Sequence, residues 1–313
     1  MNNRYSLGID TSNYKTSAAV ISAEGNIICN LQRYLDVKKG ERGLRQSAAL
    51  FQHVNNLPAL VQEAFDMVQG LGAIDCVCAS GRPRPVEGSY MPVFNAGVSA
   101  GKMLAAAVGA PYFEFSHQEG HIEAVKYDSP LRDARRFISF HFSGGTSEAL
   151  LVEGDAIQIV GGSKDLAFGQ VLDRVGVALG MEFPCGQEMD NLAASSSPPK
   201  QNLLPKIKCR DGFINLSGIE TSCQRLIGSS SQDIIVPMLF QRLGESIAEM
   251  ALQLCDQYGI TDFLFAGGVS SSCSIRNMLH KDLSHLNICF GEPALSTDNA
   301  VGIARLGGKK IWP

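Results

Sequence analysis

Phe137-Ile-Ser-Phe-His-Phe-Ser-Gly-Gly-Thr-Ser-Glu-Ala-Leu-Leu-Val152 runs as a strand, a tight polar turn and a returning strand. Phe137 to Phe142 has the aromatic and β-branched content of a strand, and Leu150-Leu151-Val152 is its hairpin partner. Between them Ser143-Gly144-Gly145-Thr146-Ser147 gathers hydroxyls and glycines, whose backbone amides can approach an anion such as phosphate closely. Glycine-rich hairpins are common, so the stretch gains its weight from repetition. Tyr5 to Asp10 is also strand-like; Thr11-Ser12-Asn13 is a polar bend, and Thr16 to Ile21 resumes the apolar pattern. A second turn, Glu24-Gly25-Asn26, then leads into Ile27-Ile28-Cys29. A chain that opens twice in this way predicts two related domains, each beginning with a hairpin that faces a phosphate.

The segments between the two openings alternate in period. Arg42 to Val68 is helical, with Leu50, Val54, Leu57, Leu60, Val61, Ala64 and Phe65 along one stripe. Ile74 to Ala79 is a buried strand, Gly81 to Gly88 a loop, Asn95 to Val108 a helix of small residues and Tyr112 to Phe115 a strand. After the second opening come a helix over Phe168 to Leu179, a turn at Phe183-Pro-Cys-Gly186, and a helical stretch starting near Asp190. Ser195 to Lys200 reads as a linker or surface loop, and Ile234 to Tyr258 is the longest helical pattern. Phe263 to Ala266 is a strand running into Gly267-Gly268-Val269 and a serine-rich helix start, an arrangement suited to a phosphate or adenosine. Ile288-Cys-Phe290 precedes Ser296-Thr297-Asp298-Asn299-Ala300 at the start of the last helix. Strands alternating with helices imply parallel pairing, and in such sheets sites gather at the carboxyl ends of strands.

The bulk numbers agree with a globular α/β protein. The chain has 313 residues, 45% hydrophobic and 19% charged, long enough for two domains. No apolar run is long enough to span a membrane, and no signal peptide precedes the first strand. Nine cysteines without a repeated CxxC suit a reduced, cytoplasmic setting. A net charge of −4 argues against a chain-wide nucleic-acid footprint. Two local basic clusters, Arg132 with Arg135 and Arg136, and Lys38 with Lys39, Arg42 and Arg45, read as solvated faces.

Chemistry concentrates at Ser116-His117-Gln118-Glu119-Gly120-His121, which follows the Tyr112 strand. Residues four apart on a helix share a face, so both imidazoles can reach one metal ion. The plainer alternative is a pair of surface or capping histidines. Gln118 stands where a zinc protease would carry its glutamate, so that motif is absent. Two histidines do not complete a site, and Asp298, in a polar turn after a strand and at a helix start, offers a third ligand. Asp10, at the first bend, either serves a metal or water near a phosphate or merely caps backbone amides.

In this order these pieces resemble the TsaD family, the threonylcarbamoyladenosine synthases of tRNA once grouped with glycoprotease-like peptidases. The likeness spans nearly the whole chain: Gly8-Ile-Asp-Thr-Ser12, His117-x-x-x-His121, Phe142-Ser-Gly-Gly145, Asp173-Arg174, Phe183-Pro-x-Gly186 with Asp190, Leu216-Ser-Gly218, Gly267-Gly-Val269 and Thr297-Asp-Asn299. The resemblance implies a two-domain actin/Hsp70/sugar-kinase (ASKHA) fold. Residues 1–130 with 296–313 would form the metal-bearing domain, and 131–295 the nucleotide-binding one. It also implies one iron or zinc ion on His117, His121 and Asp298. An adenine nucleotide, threonylcarbamoyl-adenylate or ATP, would lie on Ser143, Gly144, Gly145, Thr146, Asp173, Gly186, Asp190, Gly267, Gly268 and Ser272. The implied partners are tRNA and a TsaB-like ASKHA protein, with no membrane.

Where the family usually reads Cys-Asp-Glu-Thr, this chain reads Asn13-Tyr14-Lys15-Thr16. Thr146 replaces a histidine, Gln170 a glutamate and Ser272 an asparagine. Metal and fold are thus kept while groups around the reacting end differ, as in a divergent paralogue. Lys15 and Asp10 are the catalytic candidates. A cation at position 15 should favour phosphate and cannot replace a glutamate base, so tight nucleotide retention with weak tRNA modification is expected. The expected activity is metal-dependent threonylcarbamoyl transfer. The alternatives are a non-catalytic nucleotide-binding scaffold for a true synthase, or a carbamoyltransferase with another acceptor.

Overall fold

β1 (Asn3–Asp10), β2 (Lys15–Ser22) and β3 (Ile27–Tyr34) form an antiparallel meander, as the alternating apolar pattern and two polar turns require. On its other edge β1 pairs in parallel with β4 (Gly72–Arg82), and β4 with β5 (Tyr112–Ser116), giving the order 3-2-1-4-5. β6 (Arg136–Phe142), β7 (Ser147–Glu153) and β8 (Ala156–Ser163) repeat the meander. Two parallel strands, β10 (Asp262–Ala266) and β11 (Asn287–Phe290), flank it, with the short β9 (Phe213–Ile214) beyond β8. Set beside the first sheet, the second repeats its connectivity strand for strand and adds β9. The computed structural model describes residues 3–12, 14–37, 44–69, 72–196 and 201–312. By contacts the chain divides into two units, Met1–Tyr127 with Ala294–Pro313, and Asp128–Pro293.

In the first unit both faces of the sheet are covered, which is why β1 and β2 are buried almost throughout. Tyr5 and Leu7 pack with Val77 against α1 (Gln46–Val68) and α2 (Phe94–Val108). The alternate residues are small because α10 (Val301–Ile311) lies directly on them. A Cβ on Gly8 would stand 2.5 Å from the Ala300 carbonyl oxygen, and Ser6 donates its hydroxyl to the Ala304 carbonyl at 2.7 Å. That contact sets the last helix across the carboxyl end of β1.

The second unit has one large core in which Phe140, Phe142, Phe263 and Phe265 meet α4 (Phe168–Ala178) and α7 (Gln232–Tyr258). Its remaining α-helices are α5 (Gly186–Ser195), α6 (Ser217–Leu226) and α8 (Cys273–Asp282), and the short α9 (Pro293–Ser296) lies at the boundary, with Ala294–Ser296 in the first unit. Among the described residues no helix is long and apolar enough to cross a membrane.

Several local expectations are corrected. α1 begins at Gln46, with Leu44 and Arg45 outside it, while Lys38, Lys39 and Arg42 lie outside the described residues. Its inner stripe carries His53, bonded to the Thr16 hydroxyl at 2.9 Å, whereas Val54 is exposed. The helix holding Asp190 begins four residues earlier, at Gly186. A single 3₁₀ turn, Val269–Ser271, separates Gly267-Gly268 from α8. Asp298 follows α9 rather than a strand.

Candidate metal centre

β5 hands the chain to α3 (His117–Lys126) through a reciprocal cap. The Ser116 hydroxyl accepts from the Glu119 amide at 3.2 Å, and the Glu119 carboxylate accepts from the Ser116 amide at 2.6 Å. This arrangement uses Glu119 to start the helix and leaves the two histidines one turn apart on one face. Gly120 lies between them because α10 crosses at that point. A Cβ on Gly302 would stand 1.8 Å from the Gly120 carbonyl oxygen, and one on Gly120 would meet Ile303 Cδ1 at 2.8 Å. Glu123 reinforces the crossing from α3, with its Oε1 2.8 Å from Arg305 Nε and 2.7 Å from Lys309 Nζ.

The turn before α10 is shaped by Asn299. Its amide nitrogen donates to the Leu295 and Thr297 carbonyls at 3.0 and 2.7 Å, and its oxygen accepts from the Val301 amide at 3.0 Å. Asp298 is thereby turned toward α3. Its Oδ1 lies 3.1 Å from His121 Nε2 and 3.4 Å from His117 Nε2. The candidate ligand atoms of all three residues lie within 4.8 Å of one another. Behind them, His117 Nδ1 lies 3.2 Å from Asp10 Oδ2. Asp10 is wholly buried and also accepts from the hydroxyls of Ser12, at 2.8 Å, and Ser80.

Charge follows from these contacts. Burial alone would lower the His117 pKa, but Asp10 and Asp298 overcome it and hold the imidazolium up to about 10. Burial and the neighbouring His117 charge push His121 down, against the pull of Asp298. Burial would raise both aspartates; the histidines instead keep Asp298 well below the ordinary carboxylate range, and His117 keeps Asp10 low as well. Two imidazole nitrogens and a carboxylate oxygen suit a borderline ion such as zinc or ferrous iron, so the donor set fits.

Lys15 sits at the start of β2, where its ammonium donates to Gln32 Oε1 and Thr297 Oγ1, each at 2.9 Å. Asn13 lies outside the described residues.

The nucleotide candidates all fall in the second unit. Ser143 Oγ accepts from the Thr146 amide at 3.1 Å, closing the turn after β6. The turn rests on the start of α4, where Gly169 donates its amide to the Ser143 carbonyl at 3.3 Å. Gly267-Gly268 follows β10, the parallel neighbour of β6, so both loops leave the same carboxyl end of the sheet. Space is open above Gly144, Gly145, Gly186 and Gly268. Asp173 Oδ1 accepts from the Cys185 amide at 2.9 Å, and burial raises its pKa against that bond. Asp190 has a structural engagement not foreseen from sequence. Its carboxylate accepts from the Ser272 hydroxyl (2.6 Å) and from the Cys273 and Ser274 amides (2.8 and 3.1 Å), capping α8. Ser272 in turn accepts from the Ile275 amide at 3.1 Å. Ser80, Gly302, Glu123 and Arg305 were also missed in the sequence. Only a glycine inside the helical His117 motif hinted that another backbone comes close there.

The family model for TsaD, tRNA N6-adenosine threonylcarbamoyltransferase, matches residues 27–305. The tRNA N6-adenosine threonylcarbamoyltransferase of Neorickettsia sennetsu is 29% identical over 319 residues, covering 97% of this chain and 93% of that protein. The enzyme of the same name from Protochlamydia amoebophila is 26% identical over 317 residues, covering 96% and 91%. Among solved structures, T. kodakarensis HypF superposes with a TM-score of 0.69 at 13% identity, covering 99% of this chain and 48% of that one. A ROK family glucokinase from Streptomyces griseus, solved with glucose and AMPPNP, gives 0.53 at 14% identity, covering 96% and 98%. At such identities the structural likeness speaks for the fold alone: two α/β units of the actin/Hsp70/sugar-kinase type.

Proposed function

The chain belongs to the TsaD family of tRNA N6-adenosine threonylcarbamoyltransferases, and from that premise we propose that it transfers a threonylcarbamoyl group from threonylcarbamoyl-adenylate to the adenosine beside the tRNA anticodon. The observation that carries this proposal is the convergence of His117, His121 and Asp298. In the transfer, the adenosine N6 amine bonds to the carbamoyl carbon and the bond from that carbon to the adenylate phosphate oxygen breaks. AMP leaves, and the N6 proton passes to water.

His117, His121 and Asp298 would hold one iron or zinc ion. When bound, it supplies a Lewis acid for the negative charge that develops on the oxygens. Asp10 is the positioning residue: by accepting from His117 Nδ1 it turns the Nε2 lone pair toward the ion, and Ser12 and Ser80 hold Asp10 in place. In the second unit, the open loops Ser143–Thr146 and Gly267–Gly268 would take the adenylate, with Gly186 and Asp173 at the nucleoside. Asp190 and Ser272 serve that site by fixing the start of α8. The acceptor tRNA, a TsaB-like partner and a cytoplasmic setting belong to the same proposal.

The test is production of the chain in cells lacking their own synthase, with threonylcarbamoyladenosine measured in digested tRNA by mass spectrometry. Modified nucleoside that disappears with His117→Ala is the expected result. A folded protein that binds nucleotide and leaves tRNA unmodified would instead be a scaffold, and the transferase proposal would fall.

A further inference from the structure

Lys15 is only 7% exposed. Its two hydrogen-bond acceptors, Gln32 Oε1 and Thr297 Oγ1, are neutral, and its third neighbour is the Tyr34 ring, 4.8 Å from ammonium to centroid. Among the described residues no carboxylate comes within ion-pairing distance. A buried ammonium without a counter-charge is costly unless an anion joins it.

Its place indicates which anion. Thr297 immediately precedes Asp298, and β2 pairs with β1, whose last residue is Asp10. The ammonium is therefore bonded to the residue next to a candidate ligand of the centre, within the same unit. With a divalent ion present, Asp10 and Asp298 balance the ion, and Lys15 leaves the site net positive. A glutamate at position 15 would leave it net negative.

We propose that Lys15 is the anion-binding arm of the metal centre. A ligand oxyanion, phosphate or carboxylate, is held by the Lys15 ammonium on one side and by the ion at His117, His121 and Asp298 on the other. This rests on the metal-site reading above and is independent of the acceptor's identity. Charge-assisted hydrogen bonds of this kind are short and strong where water is excluded, and a methionine of similar length would keep the packing while removing the charge.

The test uses zinc-loaded full-length protein and calorimetric titration with two probes, inorganic phosphate and N-carbamoylthreonine. Lys15→Met should still bind zinc yet weaken one probe by about 10- to 100-fold, and Lys15→Glu should abolish that binding. The probe that responds tells the two sources apart: the nucleotide phosphate or the amino-acid carboxylate. Equal affinity of both probes for wild type and Lys15→Met overturns the proposal, as does a zinc-loaded wild type that binds neither. If the variants do not fold, the ζ-nitrogen NMR signal of Lys15 in the wild type decides. It must shift on saturation with a probe, and a stationary signal overturns the proposal. Probe binding lost in Lys15→Met from a chain that never modifies tRNA keeps this inference and sinks the transferase. Unchanged binding in a chain that does modify tRNA does the reverse.

Discussion

Glu123 shows how much depends on where a charge sits. It meets Arg305, which is 6% exposed like itself, and Lys309, which is 49% exposed. The Arg305 guanidinium also lies over the Tyr127 ring, 4.9 Å from its centroid, so little of it reaches water. Glu123→Gln strands that cation, and denaturant unfolding should show a loss of about 3–5 kcal/mol. Lys309→Met removes the exposed half of the same cluster and should cost under about 1 kcal/mol. Equal losses would mean that the buried pair does not brace the α3–α10 crossing. At this scale the sequence was only partly legible. The histidines announced themselves by helical spacing, but Thr297, which Lys15 bonds, and Arg305, which pairs with Glu123, lie 282 and 182 residues away, and no local pattern encodes such pairs.

Elements were easier to read, because period and turn chemistry are local. The two hairpin openings stood out through their alternation and polar bends. β8 was hidden by the glycines near its end, and α6 by its polar surface. The start of α6 depends on one side chain. Asp165 accepts from the Leu166, Leu216 and Ser217 amides at 2.7, 2.7 and 3.0 Å, joining the loop after β8 to the helix. Partial burial works against the charge, but the Ser217 hydroxyl and these amides prevail and lower the Asp165 pKa from 3.8 to about 2. A folded-state pKa below the ordinary value means stability that is complete above the ordinary value and lost as pH falls toward the folded one. Asp165→Asn should therefore be less stable than wild type by a margin that is constant above about pH 5 and narrows below about pH 4. A margin that does not change with pH would show that the amide replaces the carboxylate fully.

Across the whole molecule, the metal candidates belong to one unit and the nucleotide candidates to the other. Hydrogen exchange should show this division. Zinc should slow amides in 117–126 and 297–305, and an adenine nucleotide should slow those in 143–147 and 267–275. An ion present at about 100 times its dissociation constant adds roughly 2.7 kcal/mol to the state that binds it. Zinc protection centred on 143–147 would refute the assignment. The connectivity of the first unit has a further consequence. His121 and Asp298 are 177 residues apart, and the entire second unit is spelled out between them. Closing so long a loop costs entropy before any contact repays it. Until Asp298 has been made and folded back onto α3, a growing chain has both imidazoles but lacks the third ligand of the proposed set. At the proposed site the ion would be the last component to arrive, and its retention would report that Asp298 has been folded back onto α3.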